Sequence, residues 1–151
     1  MKNLNMTSST EILDRRIIKF IEGHHVMTLA TVDSDGTPYC TTLFYAYMPD
    51  ENALVFSSDN HTRHYHEMAH NNRVAAAIAL ETKIIGKIQG VQITGCVELP
   101  GDASLDHFRN AYLKKFPYAA LSDLTLWVLH PDSIKLTDNR LGFGKKIIWH
   151  A

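Results

Sequence analysis

The sequence is short of several things, and each shortage closes off a class of protein. Cysteine occurs twice, as Cys40 and Cys96, and neither belongs to a Cys-x-x-Cys pair. A disulfide-stapled scaffold and a thiolate zinc site are thereby set aside. Both cysteines read as small buried residues with reduced thiols. No apolar run approaches the ~18 residues that a membrane-spanning helix needs. Neither sign of charge is in excess: 15 Lys and Arg against 16 Asp and Glu give a net charge of −1. That balance provides neither the basic footprint of a nucleic-acid binder nor the polybasic patch of a membrane-surface protein. The opening, Met1 to Thr10, is polar and has no apolar leader core, so a cytoplasmic protein is expected. Internal repeats and low-complexity tracts are lacking too.

What is present suits one globular domain over residues 1–151, with 1–8 as a flexible start: 45% of residues are hydrophobic and 21% charged. Ser8 and Glu11 have capping-box spacing. Leu13, Ile17, Phe20, Ile21 and His24 then share a helical face, and Gly23 offers a stop. Val26 to Val32 and Tyr39 to Met48 are β-branched and aromatic, and the turn Asp33-Ser34-Asp35-Gly36 joins them as a hairpin. Ala53 to Ser58 is a third strand after the turn Pro49 to Asn52. A short helix is expected within Asn60 to Asn72, capped by Asn60, with Tyr65, Met68 and Ala69 inward. Val74 to Leu80 reads as a fully buried strand. Lys87 to Leu99 alternates as a strand, with Gly90 and Gly95 marking a bulge or a close backbone approach. Ala103 to Phe116 forms a second long helix, ended by Pro117. Strands Leu124 to Leu129 and Ile134 to Thr137 flank a turn at Pro131-Asp132. The turns are too short for parallel crossovers. The expected class is α+β, mainly β: an antiparallel sheet closing into a barrel, with two to three flanking helices.

The chemistry concentrates where the third strand gives way to a helix, at Ser57-Ser58-Asp59-Asn60-His61-Thr62-Arg63-His64. A helix start presents unpaired N–H groups with partial positive charge, which suits a phosphate. The Thr62 hydroxyl, the Arg63 guanidinium and the His64 ring would add donors; an ordinary solvated helix start is the plain alternative. Thr41 and Thr42 interrupt an aromatic strand and suit the polar edge of a ring in an apolar slot, or simply face water. Gln89 shares a face with Val91 and Ile93, so its amide needs a partner, either a ligand or neighbouring backbone. His61, His64, His66 and His70 crowd together without HExxH or a cysteine pair, so no metal site is assigned. Gly142-Phe143-Gly144-Lys145-Lys146 fails the Walker pattern, because Asn139 replaces the first glycine and Lys146 the Ser or Thr. No catalytic residue can be named from spacing.

Two blocks carry a family resemblance. One is Thr62-Arg63-His64 with Asn71-Asn72-Arg73-Val74-Ala75. The other is Ile134-Lys135-Leu136-Thr137-Asp138-Asn139 with Leu141-Gly142-Phe143-Gly144-Lys145-Lys146 and Trp149. Together with Gly90-Val91-Gln92-Ile93-Thr94-Gly95, they make residues 10 to 150 resemble the FMN-binding split barrels related to pyridoxamine 5′-phosphate oxidase, and within them a YhbP-like bacterial branch. The resemblance implies a six-stranded split barrel and a homodimer with FMN sites at its interface. It implies phosphate contacts from Ser57, Ser58, Thr62, Arg63 and His64, and a flavin contact from Gln89. It also implies a reach of Asn139 or Lys145 toward the partner's cofactor. Oxidases of the family commonly carry lysine where His64 stands, and their late Trp and Arg-Leu block has no recognisable counterpart. An FMN-dependent oxidoreductase of unstated substrate is therefore expected rather than a pyridoxamine phosphate oxidase. The alternative is a flavin or haem carrier without turnover.

Overall fold

A computed structural model describes residues 11–151. Ser8 of the expected capping box and the expected flexible start at 1–8 lie outside the described residues. Helix α1 (Arg15–Glu22) is instead capped by Asp14, whose carboxylate accepts from the Arg16 amide at 2.8 Å. Ile17, Phe20 and Ile21 form its buried face, and the helix stops at Gly23 as the pattern required.

Strands β1 (Val26–Val32), β2 (Pro38–Met48) and β3 (Ala53–Ser57) form an antiparallel meander. The two tight turns use residues that accept a left-handed backbone: Gly36 has φ 83° and Asn52 φ 47°. Helix α2 (Arg63–His70) leads into β4 (Arg73–Ala79), which pairs with β1 and β5 (Gln89–Glu98). Helix α3 (Asp102–Lys115) precedes β6 (Leu126–Asp138) and β7 (Lys146–His150). The strand order is β3-β2-β1-β4-β5-β6-β7, and a further β3–β6 pairing closes the first six strands into a barrel. β7 is an extra strand on the outside of that closure.

Inward residues such as Leu29, Phe56, Ile93 and Ile134 are almost wholly excluded from solvent and fill the barrel. β3 is apolar on both faces because α3 covers its outer side, with Phe108 and Tyr112 against Val55 and Val128. The Tyr45 hydroxyl donates to the Ile21 carbonyl at 2.6 Å and ties α1 to the wall.

Several expectations fail for identifiable reasons. Pro131-Asp132 is no turn: β6 runs straight through it, pairing with β3 before it and with β7 after it. The proline is tolerated because the β5–β6 register shifts at Thr94/Gly95. A Cβ on Gly95 would run into the His130 carbonyl, so the glycine serves close approach. β4 is not fully buried but alternates, with Val74, Ala76 and Ile78 inward and Ala75 and Ala77 outward. The tail contains a strand that its glycines and lysines hid. On α2 the buried residues are His64, Glu67 and Met68, whereas Ala69 is exposed. Cys40 is exposed rather than buried, because the pleat turns it outward.

Candidate functional site

At the end of β3 the Ser58 amide donates to the Thr125 carbonyl at 2.9 Å, holding the strand end against the segment that enters β6. The chain then turns, with the Thr62 amide on the Asp59 carbonyl at 3.1 Å. Thr62, not Asn60, caps α2: its Oγ1 accepts from the Tyr65 amide at 3.3 Å and donates to the Asp59 carbonyl at 2.8 Å. Its hydroxyl proton is thus committed within the turn. The amides of Arg63 and His64 are first-turn donors without intrahelical acceptors. Ser58 is buried, with Oγ 3.2 Å from Thr62 Oγ1, and Ser57 is half-buried beside it. His64 is buried, and its Nε2 lies 3.4 Å from Thr62 Oγ1. Burial pushes the His64 pKa below its ordinary 6.5, although Glu67 and Asp59 pull the other way. The ring is therefore neutral near pH 7. The helix turns His66 and His70 to solvent and His64 to the interior, so these histidines do not converge.

Arg63 is the exposed member of the group. Its Nε donates to Glu67 Oε1 at 2.7 Å, and its guanidinium lies over the Tyr39 ring at 4.3 Å. One Nη sits 3.7 Å from an Asp33 carboxylate oxygen. Glu67 is buried one turn along the helix and accepts from the fully buried Thr31 hydroxyl. Burial alone would raise the Glu67 pKa, but the Thr31 hydroxyl and the Arg63 guanidinium outweigh it and hold the carboxyl below 4.5. Sequence reasoning missed this pair. An acidic residue four positions after an arginine was the available signal. The consequence is electrostatic: Glu67 and Asp33 offset the Arg63 charge, which leaves the backbone amides a large share of any pull on an anion.

The pleat divides the two threonines. Thr41 shares the inward face of β2 with Tyr39 and Leu43, whereas Thr42 faces outward with Cys40 and Phe44. The remaining expected residues lie at the other end of the sheet. Thr31 aligns with Tyr39, near α2, while the Leu80 amide bonds Gln89 beyond the opposite end of β4. The separation from Thr31 to Val26 along β1 alone is roughly 16 Å at strand rise. Asn139 is at that far end, with both ends of its amide in use: Nδ2 donates to the Ile85 carbonyl at 2.8 Å and Oδ1 accepts from the Gly144 amide at 3.1 Å. Lys145 is exposed next to it. One chain therefore gathers Ser57, Ser58, Thr62, Arg63 and His64 at the start of α2, and leaves Thr41 on β2 and Gln89, Asn139 and Lys145 at the far end.

Between the two ends runs an outward concavity of about 530 Å³, floored by Thr28, Ala30, Ala75 and Ala77 and bordered by Gln92 and Lys135. Small residues at alternate positions of β1 and β4 make it flat and close to the backbone. The alternation in β4 was the signal for it, obscured because alanine reads as apolar on both faces.

The closed six-stranded barrel with an α2 start aimed past its third strand defines a class. Residues 13–138 match the family model described as pyridoxamine 5′-phosphate oxidase, and the chain belongs to that family. Within it, the chain is 36% identical over 133 residues to a UPF0306 protein of Yersinia pseudotuberculosis, covering 88% of this chain and 90% of that one. Among solved structures it is similar to a heme binding protein from Mycobacterium smegmatis: TM-score 0.74, 23% identity, covering 87% of this chain and 55% of that longer one. It is also similar to a FAD-binding protein from Mesorhizobium loti: TM-score 0.68, 18% identity, covering 83% and 92%. At such identities these two likenesses speak for the fold alone. Among the described residues, no helix is long and apolar enough to cross a membrane.

Proposed function

We propose that the chain is an FMN-binding flavoprotein working as a homodimer, and that it is an FMN-dependent oxidoreductase. The observation that carries the reading is the donor set at the start of α2. Two first-turn amides without intrahelical acceptors, the buried Ser58 and the neutral His64 lie at one chain junction, the exposed Arg63 belongs to the same helix turn, and that donor chemistry fits a phosphate monoester. The free amides of Arg63 and His64 would take phosphate oxygens directly. Thr62 would act by holding the helix start in place rather than as a donor. Tyr39 and Thr41 would flank the ribityl chain.

The division of the site supports the dimer. A second copy related by a two-fold axis, packed on the small-residue face, would bring the Asn139–Lys145 end of one protomer to the α2 end of the other. Gln92 and Lys135 would then border the cofactor from the shared face. When bound, FMN would supply the hydride and single-electron chemistry, and the protein would orient it and exclude water.

The absorbance spectrum of the purified protein tests the reading. Flavin bands, or their appearance on adding FMN, support it. A Soret band would instead favour a haem carrier, as the Mycobacterium smegmatis protein's name describes for that protein. Arg63→Ala should weaken FMN binding on the order of tenfold or more, as expected for a charge-assisted contact. Ala75→Arg, on the shared face, should lower the mass in solution from dimer to monomer and release FMN. Unchanged FMN affinity in Arg63→Ala would refute the assigned phosphate site.

A further inference from the structure

A separate cavity of about 330 Å³ opens between α1 and the far end of the barrel, where β5 begins and β6 ends. Its chemistry is not that of the α2 junction. Phe20, Leu136 and Leu141 give it apolar walls, Arg16, Lys19 and Arg140 bring three cations to it, and one carboxylate, Asp138, also borders it. Of the residues expected to touch flavin, only Gln89 borders it.

The cations are set by the fold. Asp138 is buried at the end of β6 and accepts from Arg140 three times: from its backbone amide at 3.0 Å, Nε at 3.1 Å and Nη2 at 2.8 Å. This fixes the Arg140 guanidinium and neutralises Asp138. Arg16 is held in the same manner by Asp14, through Nε at 3.0 Å and Nη2 at 2.7 Å. Each guanidinium is thus pinned along one side and keeps Nη1 for another acceptor. Lys19 carries a third positive charge on the next turn of α1, and no carboxylate lies within ion-pair distance of it among the described residues. The wall is organised as well. The His24 ring lies against Phe20 with centroids 4.1 Å apart, and its Nδ1 is 2.7 Å from the Phe20 carbonyl. Pinned cations at a rim over an aromatic wall suit a flat ring bearing an acidic group. The ring would lie against the edge of Phe20 and the Leu136 and Leu141 side chains, the acid would meet the free guanidinium edges, and the Gln89 amide would serve a polar ring substituent.

We infer that the cavity between α1 and the β5/β6 end is a binding site for a small aromatic acid, held by Arg16, Lys19 and Arg140 against Phe20. Within one chain the site is separate from the α2 junction, and the inference does not depend on the flavin reading.

Calorimetric titration of the full chain with benzoate and with phenyl phosphate, against benzyl alcohol as the neutral control, tests the inference. Both anions should bind saturably at one per chain, and the alcohol should bind at least tenfold more weakly. Lys19→Glu, an exposed helix substitution, should weaken benzoate tenfold or more, and Arg16→Ala by a smaller factor. Arg63→Ala should leave benzoate binding unchanged, which separates this site from the proposed flavin site. Methyl resonances of Leu136 and Leu141 should shift on titration. Equal affinity for the neutral alcohol, benzoate binding indifferent to Lys19→Glu, shifts confined to other methyls, or no binding at millimolar benzoate would each overturn it.

Discussion

Removing Glu67 is the sharpest test of how the α2 region is built. Its carboxylate is buried, accepts from the fully buried Thr31 hydroxyl and holds Arg63 through Nε. Glu67→Ala strands a hydroxyl that has no access to water and deletes a charge-assisted bond. The loss should be about 2–3 kcal/mol. Glu67→Gln keeps an acceptor for Thr31 and loses only the charge, so it should cost about 1 kcal/mol. Urea denaturation gives these values directly, and each kcal/mol should move Tm by roughly 2–4 °C at this chain length. The native carboxyl titrates below 4.5, the ordinary value. Its stabilisation is therefore complete above that value and is lost as pH falls through the lower native one. The Gln variant should lack that component of the acid transition. In a Thr31→Val background there is no hydroxyl to strand, and Glu67→Ala should cost less by about 1 kcal/mol or more. Equal cost for Gln and Ala, together with no change in the Thr31→Val background, would refute this account of the network.

Other substitutions probe other parts of the fold. Gly95→Ala places a methyl against the His130 carbonyl where β5 and β6 shift register, and should cost roughly 3 kcal/mol in chemical denaturation. Tyr45→Phe removes the donor to the Ile21 carbonyl and should cost about 1 kcal/mol by the same assay, with the fold unchanged in its circular dichroism. His64 is held neutral by burial, so the unfolded chain binds its proton more readily than the native one. Stability should decline as pH falls below about 6.5, and a proton NMR titration should place the His64 midpoint below that ordinary value.

Strands with alternation and turns with glycine or asparagine were legible, which is why the β1–β2 hairpin and the barrel class could be read directly. The failures share a cause: they depend on what lies across the sheet. Pro131 looks like a turn until Gly95 opposite it opens the register. The alanines of β4 look buried on both sides until their outer row is found to floor a concavity. At the α2 junction, Ser57 to His64 could be marked as anion-binding from residue type. That Thr62 would spend its proton on Asp59, and that Arg63 would share itself with Glu67, required the helix phase. No local pattern separates the α2 group from Gln89 and Asn139, because that distance is set by the strand order.

The indole nitrogen of Trp149, on the last strand, donates to the carbonyl of Glu11 at 2.7 Å. The two extremities of the described chain are thereby stitched together, and β7 holds the residue that leads toward α1. The residue ahead of α1 therefore gains this tether only once β7 has paired with β6. By the same token, a circular permutant that links the neighbourhood of Trp149 to that of Glu11 and opens the Asp33–Gly36 turn would preserve every strand pairing.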